Sequence, residues 1–179
     1  MKKTYFETDY ADFDRIQIIL EHGGIYLDFD VLAIRSFDEL RKYNCTLGLE
    51  QGAKICSGAI ICARGHPFLY MWLNSYYDDF RGQWTYNSGV VSTRLMNRYK
   101  DLIHAEAKAL HWPSWSYLPQ IWGNQTYDWR KNYAIHTWIR LAKPYFKEYP
   151  SPETIKTMNS TFGQIARTVY YGSADLITS

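Results

Sequence analysis

Asp28 and Asp30 stand one residue apart near the end of the apolar run Gly23-Gly24-Ile25-Tyr26-Leu27-Asp28-Phe29-Asp30-Val31. Read as a strand, the run sends both carboxylates to one face and Leu27, Phe29 and Val31 to the other. Same-face Cβ atoms lie about 7 Å apart, close enough for two acids to share one hydrated cation. Carboxylate and water ligands favour Mg²⁺ or Mn²⁺ over softer metals. A cation held there could in turn hold a diphosphate, which points to nucleotide-sugar chemistry. Asp12 and Arg15 precede the run at i and i+3 on one helical face. As a mere surface ion pair they would contribute only about 0.2–0.5 kcal/mol. His136 is a further candidate ligand for a metal or diphosphate, since neutral imidazole suits metals; its plain alternative is a structural histidine. His22, His66, His104 and His111 have no comparable context. Tyr26 shares the face of Asp28 and could line a donor pocket. Asn87, Ser88 and Gly89 could open a helix whose N-terminus faces sugar hydroxyls or phosphate.

These residues need elements to position them. Thr8 or Asp9 can cap a helix running to about His22, with Ile16, Ile19 and Leu20 as its apolar stripe. Gly23 suits the position just past that helix, and the strand Ile25–Phe29 follows a tight turn. This helix–Gly-Gly–strand order predicts an α/β unit. Ser36 with Glu39 reads as a capping box opening a short helix. Thr46–Glu50 and Ile55–Ala63 read as strands. Pro67 opens a helix through Phe68, Leu69, Trp72, Leu73 and Tyr76. Asn87–Lys100 reads as another helix, and residues 111–133 as an ordered, loop-rich region and candidate lid. Pro152–Tyr171 reads as a C-terminal helix capped by Ser151. No repeats, low-complexity tracts or linkers interrupt the pattern, so residues 1–179 read as a single domain.

Composition narrows the classes of function. The chain has 179 residues, 46% hydrophobic and 21% charged, which suits one globular domain with a real core. Its net charge is +2 and no basic run exceeds two residues, so the footprint of a nucleic-acid binder is missing. No apolar run is long enough to span a bilayer, and the first residues turn polar before any signal region forms. Aromatic content is 17%, with sixteen Tyr and seven Trp, which suits either a sugar-gripping surface or a Tyr-rich core. Cys45, Cys56 and Cys62 are odd in number and lack metal-site spacing; Cys56 and Cys62 read as small buried thiols sharing one strand or its edge. Sequons at Asn44, Asn124 and Asn159 lean weakly toward a secretory lumen.

The order Asp12-x-x-Arg15, then Gly23-Gly24-Ile25-Tyr26-Leu27-Asp28-x-Asp30, resembles the glycosyltransferases with a DXD sugar-binding motif. That family includes lactosylceramide α-1,4-galactosyltransferases and fungal initiating α-1,6-mannosyltransferases. Its Ser before the first Asp is replaced here by Ala11. Gly58-Ala59-Ile60-Ile61 with His66-Pro67-Phe68-Leu69 is similar to the strand and helix that follow the family's metal site. Trp84-Thr85-Tyr86-Asn87-Ser88-Gly89 is similar to its loop before a later helix, and His136-Thr137-Trp138 to its C-terminal His-x-Trp. The resemblance covers about residues 9–140, with a C-terminal helical extension over 150–172.

The resemblance implies a GT-A fold, a Rossmann-like α/β sandwich, here apparently lacking the N-terminal part of its nucleotide-binding half. It implies a hexosyltransferase that moves a hexose, galactose above others, from a nucleotide sugar such as UDP-hexose to a glycan or glycolipid hydroxyl, with retention. Asp28 and Asp30 would anchor Mn²⁺ or Mg²⁺ with His136, while Asp12, Arg15, Tyr26, Asn87 and Ser88 would contact the donor. A lumenal Golgi location is implied by the family alone. Two other readings stand beside it. A short front half suggests a non-catalytic, truncated relative that binds glycans or a partner. The strand-Asp-x-Asp pattern also suits haloacid-dehalogenase phosphatases, but the acidic pair that fold needs, here Asp78-Asp79, ends a helical pattern instead.

Overall fold

The computed structural model describes residues 3–178, with side chains from Tyr10 onward. Its elements in chain order are α1 (Lys3–His22), β1 (Gly24–Leu27), β2 (Val31–Ala33), β3 (Cys45–Glu50), β4 (Lys54–Cys62), α2 (Pro67–Asp78), a π-helix (Tyr86–Val91), α3 (Ser92–Arg98) and β5 (His104–Glu106). After them come α4 (Leu118–Ile121), β6 (Ala134–His136), α5 (Pro152–Ile155) and α6 (Thr161–Tyr171). The fold is mixed α/β, as the helix–Gly-Gly–strand order predicts. Its contacts form two compact units: Met1–Asp28 with Phe37–Ala107, and Phe29–Ser36 with Lys108–Ser179. No helix among the described residues is long and apolar enough to cross a membrane.

The first unit is a four-stranded sheet in the order β1-β4-β3-β5. β4 pairs antiparallel with both β1 and β3, and β5 runs parallel to β3. Ala59, Ile60, Ile61 and Cys62 of β4 are all buried, the near-continuous apolar run expected of a central strand. Ile16 and Ile19 of α1 are buried against this sheet with Phe68, Leu69 and Trp72 of α2, and Leu20 packs at the margin. Gly23 ends α1 by donating its N–H to the Ile19 carbonyl at 2.7 Å. Its φ is +70°, and a Cβ there would lie 2.7 Å from the Arg64 nitrogen, so only glycine fits. The backbone of α1 already includes Thr8 and Asp9, so neither caps it; their side chains lie outside the described residues.

Four local expectations give way. β1 stops at Leu27, residues 29 and 30 form a turn and β2 begins at Val31, so Asp28 and Asp30 do not alternate along one strand, and Phe29 is fully exposed. After Ser36 the chain makes turns over residues 38–42 instead of a helix. A capping box contributes little when the segment before β3 is too short to offset helix nucleation. Asn87–Lys100 divides into the π-helix and α3, because the Asn87 amide donates to the Ser75 and Asp79 carbonyls at 3.0 and 3.1 Å and holds that turn to the end of α2. Pro152–Tyr171 is two helices. Ser160 caps α6 through the Gly163 N–H, and the earlier capping box joins Ser151 and Thr154.

Cys45 and Cys62 face each other across β3 and β4 and form a disulfide, whereas Cys56 is free. This corrects the expectation of a buried thiol at Cys62. The bridge closes a loop of 17 residues, so reduction should lower stability by about 3 kcal/mol. Urea unfolding with and without reductant checks this; equal midpoints would count against a bridge that restrains the unfolded chain.

The second unit pairs β2 and β6 antiparallel, with Val31 opposite His136. Residues 111–133 are loop-rich, as expected, with only α4 and a 3₁₀ turn at Trp115–Tyr117. Trp122 anchors that region, stacked 3.9 Å from Phe162 of α6.

Candidate active site

In the first unit, Arg15 gathers the predicted acids. It projects from α1 with its Nε donating back to the Ala11 carbonyl at 3.1 Å. One Nη lies 3.3 Å from Asp12 Oδ1 and the other 2.9 Å from Asp28 Oδ1. The second Nη also donates to the Ser57 carbonyl and hydroxyl at 3.1 and 3.2 Å. Tyr26 donates its hydroxyl to Asp28 Oδ1 at 2.6 Å, and the guanidinium lies 4.9 Å from the centre of its ring. Ser57 donates to Asp12 Oδ1 at 3.2 Å. Asp12 and Arg15 thus form part of a buried network and not a surface pair.

The electrostatics follow from burial. Desolvation pushes the Asp12 carboxyl above its ordinary range, against the pull of Arg15 and of hydrogen bonds from Ser88 and Ser57. Burial would lower Arg15, but Asp12 and Asp28 outweigh it and hold the guanidinium firmly charged. Desolvation and the bond to Asp28 push the Tyr26 phenol up, so it stays a donor. Two carboxylates against one guanidinium leave an acid surplus that suits a cation.

In the second unit, Asp30 and His136 meet. His136 ends β6, and its Nε2 lies 3.1 Å from Asp30 Oδ1. Thr137 donates both its N–H and its hydroxyl to the Asp30 carbonyl, at 2.7 and 2.9 Å. Trp122 Nε1 holds the Thr137 carbonyl at 2.6 Å. Trp138 stacks on the His136 ring with centroids 3.7 Å apart and is pinned by a bond from its Nε1 to the Pro113 carbonyl. Trp138 has φ +54°, an outlier for a bulky residue, held by these contacts. Burial alone would raise Asp30, but the hydrogen bond and charge of His136, with backbone N–H groups, hold its carboxyl below the ordinary value.

The donor set fits a divalent cation. Donor atoms on one ion with bonds near 2.1 Å sit roughly 3 Å apart, the separation found between His136 and Asp30. Asp30 is part-exposed and has about four lone-pair positions, enough for its hydrogen bonds and one metal bond.

Ser88 joins the first cluster through Asp12, whereas Asn87 is bound to Ser75 and Asp79. Both lie in the first turn of the π-helix, which runs directly into α3. Asp78 ends α2 and Asp79 caps it, with Tyr86 and Arg81 donating to the Asp79 carboxylate, so this acidic pair belongs to a helix end. Two residues escaped the sequence reading. Ser57 carried no signal, since its role depends on strand register. His111 sits in the loop-rich region as 1% exposed, and among the described residues neither ring nitrogen has a hydrogen-bond partner.

A mixed α/β chain gathers Asp12, Arg15, Tyr26 and Asp28, and separately Asp30 and His136, side chains of the types that hold divalent cations. Residues 1–47 match the family described as glycosyltransferase sugar-binding region containing DXD motif, and the chain as a whole is similar to several glycosyltransferases and related proteins. It is 28% identical over 172 residues to glucan organizing enzyme 1 of Cryptococcus neoformans, covering 88% of this chain and 47% of that protein. It is 24% identical over 175 residues to lactosylceramide 4-alpha-galactosyltransferase of Mus musculus, covering 85% of this chain and 46% of that enzyme. It is 36% identical over 64 residues to inositol phosphoceramide mannosyltransferase 3 of Schizosaccharomyces pombe, covering 36% and 18%. The chain thus spans about half or less of the length of these relatives. No solved structure matches it significantly.

Proposed function

We propose that this chain is the catalytic domain, or part of it, of a GT-A hexosyltransferase. It takes a hexose from a nucleotide sugar, with UDP-galactose as first candidate, and passes it to a glycan or glycolipid hydroxyl with retention. The observation that carries the reading is the Asp30–His136 pair at 3.1 Å, set within a DXD-family sequence. In this reading Asp28, two residues before Asp30, and His136 join Asp30 in holding Mn²⁺ or Mg²⁺. The ion supplies charge stabilisation to the departing nucleoside diphosphate.

The protein's own groups do the rest. Arg15 holds the Asp12 and Asp28 carboxylates in place. Tyr26 orients the Asp28 carboxylate, and Trp138 fixes the His136 ring. Asp12 and Ser88 lie where a donor sugar hydroxyl could exchange for their mutual bond. Asn87 takes part by holding the π-helix in place. A lumenal, Golgi-type compartment accords with the Cys45–Cys62 disulfide, because such bridges persist in oxidising surroundings.

Calorimetric titration of UDP into the purified chain tests the reading. Binding in Mn²⁺ that EDTA abolishes is expected. A folded chain that binds UDP equally in EDTA, or not at all, would remove the metal-dependent donor site and leave the truncated, non-catalytic binder.

A further inference from the structure

Three Asn-x-Ser/Thr triplets occur in the chain, and the fold treats them unequally. At Asn44 the triplet runs into β3: Cys45 is bridged to Cys62, and the Thr46 hydroxyl is buried and donates to the Leu40 carbonyl at 3.2 Å. At Asn159 the two residues that follow start α6. Ser160 caps that helix through the Gly163 N–H, and Thr161, 2% exposed, accepts the Tyr127 N–H at 3.3 Å. The third triplet differs. Asn124, Gln125 and Thr126 are all exposed and lie outside helix and strand. The same three residues line an open cavity with Asn159 and Gln164. Among the described residues no charged side chain lines that cavity, and its amides and hydroxyls offer both donors and acceptors, the chemistry that binds a neutral sugar.

We propose that Asn124 is an N-glycosylation site whose first sugar, an N-acetylhexosamine, seats in this cavity. The inference rests on the lumenal reading above, because this modification belongs to the secretory pathway. The Asn124 amide nitrogen attacks C1 of an oligosaccharide carried on a lipid diphosphate. A C–N bond forms and the bond from C1 to the phosphate oxygen breaks. The lipid diphosphate departs with the bonding pair, and the nitrogen gives up one proton to a base of the transferring enzyme. The whole triplet must be reachable while this happens. The Thr46 and Thr161 hydroxyls are reachable only until β3 and α6 form, whereas the Thr126 hydroxyl stays reachable in the folded chain. A bulky glycan also needs open surface, which the loop after α4 provides. Seated there, the sugar ties that loop to the start of α6.

The test uses the whole chain, carried into the secretory lumen of eukaryotic cells by a cleavable leader. Peptide N-glycosidase converts each glycosylated Asn to Asp, and mass spectrometry after digestion in heavy-oxygen water reads the occupancy of each site. The expected result is an occupancy at Asn124 several-fold above that at Asn44 or Asn159, and its loss in Thr126→Ala, which leaves Asn124 itself unaltered. Thr126 is exposed, so the variant should fold. In glycoprotein trimmed to its first sugar, NMR should show contacts between the acetamido methyl and the Gln164 side-chain amide; their absence overturns the seat. An unmodified Asn124 in the secreted, folded chain, or an occupancy no higher than at the other two sites, overturns the assignment. A modified secreted chain beside unmodified protein from its own cells overturns the lumenal reading and the use of the site with it. Mn²⁺-dependent UDP binding is measured on the unmodified chain and stands or falls separately.

Discussion

In the proposed transferase, replacing Asp30 with Asn should lower sugar transfer by about 10²–10³-fold and remove the Mn²⁺ dependence of UDP binding. The magnitude follows from what the carboxylate does. Charge stabilisation by a bound metal contributes several kcal/mol to a barrier, and each 1.36 kcal/mol is about tenfold in rate. Asn keeps the volume and can still meet His136 at the 3.1 Å separation, so the turn before β2 should survive. The Thr137 bonds to the Asp30 carbonyl are untouched, since they involve the backbone. Transfer that persists in Mn²⁺ at the original rate would remove Asp30 from the site. The same variant carries a pH signature. Burial would raise the Asp30 carboxyl, but His136 outweighs it and holds the group low, so the folded state binds its proton less tightly than the unfolded state does. The stability this supplies is present above about pH 3.9 and is lost as pH falls through the lower folded value. The Asn variant lacks that term. Its melting temperature should approach that of the unaltered protein as pH drops below about 4, and lie furthest below it near neutrality.

What could be read ahead of the structure was what depends on short range. The apolar spacing of Ile16, Ile19 and Leu20 marks the buried face of α1, and Gly23 marks its end, because period and backbone freedom are local properties. β4 was legible from the apolar residues Ile55 and Ala59–Cys62. The alternation argument for Asp28 and Asp30 failed for a physical reason. A period of two holds only while the chain stays extended, and here it turns between them. The C-terminal helix broke at Ser160 because a polar cap with a good backbone partner at Gly163 competes with helix continuation.

The site was legible by residue type and not by partner. Asp12, Arg15, Tyr26 and Asp28 do come together, yet the serine that joins them lies on β4, and only register brings Ser57 to Arg15. The Cys45–Cys62 bridge is the same case, since it depends on which residues of β3 and β4 face each other. His111 lay in an aperiodic aromatic stretch where sequence has no rule for burial, and it is 1% exposed.

Arg15→Met should destabilise the first unit by about 3–5 kcal/mol at neutral pH, far beyond the few tenths of a surface ion pair. The size comes from what is left behind. Arg15 is buried and serves Ala11, Asp12, Asp28 and Ser57 at once. Met fills much the same volume, so the loss is electrostatic and not a cavity. Without the guanidinium the Asp12 carboxyl, already raised by burial, rises further. An acid whose folded pKa lies above its unfolded value binds its proton more tightly when folded, so stability falls as pH rises through that window. The penalty in Arg15→Met should therefore be largest near pH 7 and shrink as pH falls toward about 4, where Asp12 takes up a proton. Adding Asp12→Asn should recover part of the loss, because one uncompensated charge disappears. Lys at position 15 should not, since one ammonium cannot reproduce the planar fork that reaches Asp12 and Asp28 together. Urea unfolding of the four proteins at pH 4, 5.5 and 7 measures this. A penalty below about 1 kcal/mol, or one independent of pH, would return Asp12 and Arg15 to the status of an ordinary surface pair.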